Sequence, residues 1–167
     1  MSELIKTVDL TKYFKVGKNR FLHAVDGVSI SINGGETLGV VGESGCGKST
    51  LGRVILGLQP ATSGEIYFDG KSVRQSSKKD MAVFRTETQL IFQDPYSSLD
   101  PRKSVFELIA EPLHRSKDYT SKSMILERVM SLMEIVGLDE RFINSYPHEM
   151  DGGRRQRIGV ARALSLN

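Results

Sequence analysis

A chain of 167 residues, 39% hydrophobic and 26% charged, is long enough to bury one sizeable core and sits in the ordinary range of soluble globular domains. Its formal charge of +3 and isoelectric point near 9.0 suit a phosphate-bearing partner and a plain solvated surface equally, so charge selects no function class. One cysteine, Cys46, excludes an internal disulfide, the acidic opening MSELIKTVDL is unlike a secretory leader, and no apolar run approaches the ~18 residues of a membrane span. The expectation is a cytosolic protein whose membrane role, if it has one, is peripheral.

From Met1 to Val41 the pattern predicts short strands: LIKTVDLTKYF, FLHAVDGVSISI and ETLGVV, separated by the turn-rich VGKN and NGG. KSTLGRVILGL follows as a helix with Leu51, Val54, Ile55 and Leu58 on one face, stopping before Pro60. SGEIYFDGK reads as a further strand and turn, the basic SVRQSSKKD as a surface loop, and QLIFQDP as a buried strand ended by proline. The texture then turns helical. SVFELIAEPL predicts a short helix, and SKSMILERVMSLMEIVGL a longer one with Ile125, Val129, Leu132, Met133 and Val136 inward, closed by Gly137. A last helix is expected from about Gly153 to the end of the chain, with Ile158, Ala161 and Leu164 inward.

The clearest chemical signal is GESGCGKST, which fits G-x-x-x-x-G-K-[ST] between an apolar strand-like run and a helix, the context the motif requires. Glycines at 42, 45 and 47 let the backbone wrap around phosphate oxygens and aim N–H groups inward, while the helix N-terminus adds partial positive charge. The binding set is Gly42, Ser44, Gly45, Cys46, Gly47, Lys48, Ser49 and Thr50. Lys48 is expected to bridge the outer phosphates and Ser49 to ligate magnesium. GESG is no nucleophile elbow, because its second glycine comes one residue early for G-x-S-x-G. Cys46 reads as a variable loop position rather than a nucleophile.

Phosphate-loop enzymes of the general kind carry a second acidic motif, an apolar strand ending in Asp or Asp-Glu. IVGLDE, ending in Asp139 and Glu140, continues an amphipathic helix past the glycine that closes it, so it reads as a helix end and turn.

The chain resembles the ATP-binding subunit of ABC transporters, within them the oligopeptide and dipeptide importers. VDGVSISINGGETLGVVGESGCGKSTLGR, LIFQDPYSSLDPR, the EPL beyond it and YPHEMDGGRRQRIGVARAL carry the likeness, in the expected order and across essentially the whole chain. The resemblance implies an α/β phosphate-loop NTPase fold with an N-terminal antiparallel β subdomain and an α-helical signature subdomain, and with the C-terminal part of the core missing. It divides the chain into residues 1–92 (β subdomain and phosphate-loop core), 93–152 (Q-loop and helical subdomain) and 153–167 (signature helix).

Residue roles follow from the same resemblance. Gln93 matches the Q-loop glutamine, which senses magnesium and the γ-phosphate. Phe14 stands where the family has an aromatic that stacks on adenine, with Tyr13 the neighbouring alternative and strand packing the competing use. The tract after Gln93 and the helical block match the surface that receives the membrane subunits. MDGGRRQ replaces LSGGQ-R-Q, so Asp151, Gly152, Gly153 and Arg154 are the residues that would contact ATP held by a second subunit. An ionised Asp151 is repelled by phosphate, with Arg154 offsetting part of that, so this signature is expected to cap its helix yet close weakly on ATP.

In the family the signature helix leads to a magnesium-binding Asp, a catalytic Glu, a D-loop and a switch histidine; His23, His114 and His148 do not match the last. These residues therefore resemble the front portion of a longer domain with little hydrolysis of its own and an uncovered apolar sheet edge. The expected cofactors are ATP and Mg²⁺. The expected partners are a second ATPase subunit, as homo- or heterodimer, permease subunits and, indirectly, a solute-binding protein, at the inner face of the cell membrane; no nucleic acid is expected. Import of nickel or another small solute, a non-catalytic nucleotide-binding role, and a DNA-repair ATPase of the same fold are the alternatives.

Overall fold

A computed structural model describes residues 3–94 and 98–166. The chain forms two compact units, one running to Thr88 and the other beginning at Gln89.

The first unit is built on β1 (Glu3–Gly17), β2 (Arg20–Val28), β3 (Ser31–Asn33), β4 (Ser63–Phe68) and β5 (Lys71–Ser72), paired antiparallel in the order β2-β1-β4-β5, with β3 also on β1. Thr7 and Leu10 of LIKTVDL are both buried, three residues apart, because Asp9 between them sits at φ +47° where the β1–β4 register shifts, which turns the strand's inward face. Buried Thr7 is satisfied, since its hydroxyl donates to the Val28 carbonyl at 3.0 Å and accepts from the Ile30 amide at 3.1 Å. Against Leu10 and Ile66 pack Val54 and Ile55 of α1 (Lys48–Ile55). Leu51 is partly buried there, but Leu58 lies beyond the helix end and is 57% exposed, so the expected inward face is one residue too long.

The predicted surface loop SVRQSSKKD gives way at Lys78 to α2 (Lys78–Glu87), whose Phe84 meets Phe68 of β4 edge-on at 5.2 Å. Ser77 caps this helix by accepting from the Asp80 amide at 3.2 Å, a Ser-x-x-Asp signal present in the sequence. Two predicted strands do not form. Leu38, Val40 and Val41 of the ETLGVV run and Ile91 and Phe92 of QLIFQDP are exposed, Val41 to 94%, and no described residue pairs with either run. A buried parallel strand needs a hydrogen-bonded neighbour and a covered face, and the described residues give these runs neither.

The second unit is helical: α3 (Val105–Leu113), α4 (Lys122–Ile135) and α5 (Gly152–Ala163), with 3₁₀ turns at Glu140–Phe142 and Pro147–Glu149. Ser104 and Glu107 start α3 with a reciprocal capping box. Gly137 ends α4 at φ +66°, where its amide reaches the Glu134 carbonyl at 2.9 Å and the Leu138 amide reaches Met133 at 2.8 Å. Leu108, Ile109, Leu113, Val129, Leu132, Met133, Ile158 and Ala161 share one core, and Val136 and Leu164 pack on its edge. Each fully buried aliphatic chain contributes roughly 1.5–3 kcal/mol, against about 0–1 kcal/mol for an exposed ion pair, so this core rather than the surface charges holds the unit. α5 starts one residue earlier than expected, because Asp151 supplies the N-cap, and it ends at Ala163 with Leu164 as the C-cap.

Candidate phosphate-binding site

The GESGCGKST segment enters α1 through Gly47, which sits in the left-handed region at φ +98° with no side-chain cap. The first intrahelical bond runs from the Leu51 amide to the Gly47 carbonyl at 2.8 Å. The amides of the first turn therefore have no partner within the helix, and no acidic residue in that turn neutralises their field. This is the electrostatic arrangement that receives an anion.

Gly47 is also fixed by packing. An added Cβ would lie 1.9 Å from the Ala24 carbonyl oxygen on β2. The pairing of β2 with β1 steps from Val25 opposite Lys12 to His23 opposite Tyr13, leaving Ala24 as an extra residue in the ladder. Its carbonyl lies against the phosphate loop. Sequence reading gave no sign of Ala24, since a bulge depends on register and not on residue type.

Lys48 folds back over the loop: its Nζ donates to the Gly42 carbonyl at 2.8 Å and the Glu43 carbonyl at 2.6 Å. The Cys46 Sγ stands 3.6 Å from the same nitrogen and 2.8 Å from where a Cβ on Gly42 would be, so Cys46 fills space over Gly42. The 42–50 segment thus brings the Lys48 ammonium, the unpaired amides of the α1 start and exposed backbone into one stretch, a set that fits a polyphosphate. Ser44, Gly45, Ser49 and Thr50 belong to the same stretch.

On the adjoining hairpin, Tyr13 stacks on His23 with ring centroids 3.8 Å apart and 20° between planes. The Tyr13 hydroxyl donates to Asp26 Oδ1 at 2.5 Å, and His23 Nδ1 is 3.5 Å from Oδ2. The bond to Asp26 raises the Tyr13 pKa, while the Tyr13 hydroxyl and then His23 hold Asp26 below its usual value. Of the two aromatic candidates, Tyr13 has one face occupied by His23. Phe14 lies opposite Leu22 with Lys12 Nζ 5.0 Å from its ring centroid.

Gln93 is in the second unit, exposed, in an irregular segment. Pro95, Tyr96 and Ser97 of QDPYSSLDPR lie outside the described residues. Farther along that tract, Arg102 makes paired bonds to Asp100 at 3.0 and 2.9 Å, and its guanidinium pulls the Asp100 pKa down to about 2.

Asp151 accepts from the Arg154 amide at 2.8 Å and pairs with the Arg154 guanidinium at 2.9 Å. That amide, chiefly, and then the charge of Arg154 hold the Asp151 pKa below its usual value. Arg154 and Arg141 each lie 4.8 Å from the Phe142 ring centroid. A cavity of about 320 Å³ beside them is lined by Asp139, Arg141, Phe142, Asp151 and Arg154 among others. Asp139 caps the 3₁₀ turn by accepting from the Arg141 amide at 2.9 Å, the turn expected for IVGLDE.

The family profile described as ABC transporter matches residues 25–167. The chain belongs to the ABC transporter family. Among curated ABC proteins it is 47% identical to the oligopeptide transport ATP-binding protein OppF of Bacillus subtilis, over 100% of this chain and 55% of that one. It is 47% identical to OppF of Escherichia coli over 98% of this chain and 51% of that one, and 43% identical to the dipeptide transport ATP-binding protein DppF of Haemophilus influenzae over 98% and 51%. The chain spans about half the length of these relatives. A dimeric structure of the ATP-binding cassette MJ0796 bound to ADP and Pi superposes with a TM-score of 0.88 at 29% identity, covering 98% of this chain and 70% of that one. The fold expectation, an ABC ATPase fold with antiparallel and helical parts, is borne out, as is the likeness to peptide importers.

Proposed function

We propose that the chain is the ATP-binding portion of a subunit that powers import of oligopeptides or dipeptides through a membrane permease. The observation that carries this is the phosphate loop: a positive-φ, uncapped helix start locked against Ala24, with Lys48 folded over loop carbonyls. Its relatives' names direct the reading to peptides.

In this reading the 42–50 amides and Lys48 would hold the phosphates of ATP, Ser49 would hold Mg²⁺, Phe14 would lie at the base, and Gln93 keeps the Q-loop role that the resemblance implies. Bound Mg²⁺ supplies charge neutralisation at the phosphates. Asp151, Gly152, Gly153 and Arg154 face the nucleotide of a second subunit, consistent with the dimeric cassette structure. The domain division at 1–92, 93–152 and 153–167 belongs to the same proposal. So do permease partners, a solute-binding protein acting through the permease, and a place on the inner face of the membrane. No helix among the described residues is long and apolar enough to cross a membrane.

The only apolar run of the sequence that ends in Asp-Glu is the helix end at 135–140, so these 167 residues alone hydrolyse ATP very slowly. Lys48→Ala in the source cell tests the reading. Uptake of a labelled short peptide falls to background while nickel uptake is unchanged; undiminished peptide uptake refutes the proposal.

A further inference from the structure

The outer end of the β1–β2 hairpin concentrates positive charge and apolar surface that the fold leaves unused. β1 pairs with β4 only as far as Thr11, so from Lys12 outward the hairpin is a two-stranded arm, closed by the turn at Lys18 and Asn19. From Thr11 to Val25 the sequence holds no Asp or Glu. Lys12 is engaged, donating to the Pro60 carbonyl at 2.8 Å, but Lys15, Lys18 and Arg20 are exposed and in no ion pair among the described residues. Beside them Val16 is 60% and Phe21 55% exposed, and Phe21 lies directly across the ladder from Lys15. An anionic lipid surface satisfies both features at once, since its headgroups attract cations and its acyl boundary takes apolar side chains.

We propose that this hairpin end is a membrane-contact site, with Lys15, Lys18 and Arg20 docking on anionic lipid headgroups while Val16 and Phe21 enter the boundary beneath them. The dimensions favour lipid over an acidic protein partner. A stable protein interface buries on the order of 800 Å² per partner, from about twenty residues or more, and the end of the arm supplies only residues 15–21. A bilayer surface needs no shaped complement, so a narrow arm carrying three cations and two apolar side chains is enough to engage it. The contact involves no residue of the phosphate loop and therefore stands or falls apart from nucleotide binding.

The test is co-sedimentation of the 167-residue chain with vesicles of phosphatidylcholine alone and of phosphatidylcholine mixed with phosphatidylglycerol, each variant first shown by circular dichroism to be folded. Binding to the anionic vesicles that falls as salt rises is expected, with little to the neutral ones. Lys15→Gln, Lys18→Gln and Arg20→Gln together lower partitioning roughly hundredfold, at about fivefold per cation. Lys78→Gln, Lys79→Gln and Lys117→Gln, which remove equal charge elsewhere, lower it far less. Val16→Ser with Phe21→Ser loses about ten- to hundredfold. The chain has no tryptophan, so Phe21→Trp supplies a single reporter whose emission shifts to the blue on binding and is quenched by brominated acyl chains. No binding to anionic vesicles, an equal loss in the two triple variants, or an unshifted emission from vesicle-bound Phe21→Trp overturns the proposal. Capture by polyglutamate that depends on the same three cations, with none by vesicles, assigns the arm to an acidic protein and overturns it as well.

Discussion

Replacing Gly47 by alanine separates the phosphate loop's two structural demands, backbone conformation and close approach. Gly45 and Gly47 both have positive φ, +80° and +98°, but a Cβ on Gly45 meets nothing within 4 Å, whereas one on Gly47 lies 1.9 Å from the Ala24 oxygen. The left-handed region costs an L-residue about 1–2 kcal/mol, which is all that Gly45→Ala incurs. Gly47→Ala adds overpacking against backbone, roughly a further 1–3 kcal/mol. The loop is exposed and tied internally by little beyond Lys48 and a 3.4 Å bond from the Cys46 amide to the Glu43 carbonyl, so it shifts off Ala24 instead of unfolding the unit. Binding must then restore the cradle, and the strain appears as lost affinity. By calorimetry Gly45→Ala loses roughly five- to thirtyfold in ATP affinity, and Gly47→Ala from about thirtyfold to several thousandfold. Gly57→Ala, at φ +68° beyond α1 with an ordinary 3.7 Å contact, serves as the control that loses stability and keeps ATP. Equal affinities for Gly45→Ala and Gly47→Ala, or an equal loss in Gly57→Ala, refute the role assigned to the Ala24 contact.

Asp151→Ser with Arg154→Gln removes the ion pair at the α5 start, and ATP-driven association with an intact partner subunit rises; an unchanged dimer yield in ultracentrifugation contradicts the weak-signature reading. The Asp151 pKa is lowered in the fold, so its cap stabilises fully above the unfolded carboxylate value and is lost as pH falls through the folded one. Melting curves should accordingly show wild type losing ground to Asp151→Ser on acidification, and a pH-independent difference would remove the ionised cap from the account. Ser104→Ala breaks the α3 capping box and lowers stability by about 1 kcal/mol, read as a denaturant midpoint shift with unchanged slope.

The helical unit was legible because its signals are local. Ser104 with Glu107, Gly137 at a helix end, and apolar spacing through Ile125, Val129 and Leu132 each act within a few residues. The phosphate loop was legible for the same reason, its glycines and Lys48 being contiguous. ETLGVV and QLIFQDP misled because a strand is a property of pairs, and apolar composition reports the wish for burial without naming the neighbour that grants it. α2 is hard to read from sequence because the basic, serine-rich SVRQSSKKD masks the Ser77–Asp80 cap that starts it. The Tyr13–His23–Asp26 group and the Ala24 contact were invisible, since both arise from an extra residue in one strand that only the register reveals.

Titration of the wild-type chain with ATP and Mg²⁺ in a calorimeter, on material whose circular dichroism shows it folded, bears most directly on the central assignment. Saturable heat with one site per chain, weakened at least about thirtyfold in Gly47→Ala and weakened also in Lys48→Ala, is the predicted result. A folded chain that gives no heat contradicts the phosphate cradle and everything built on it.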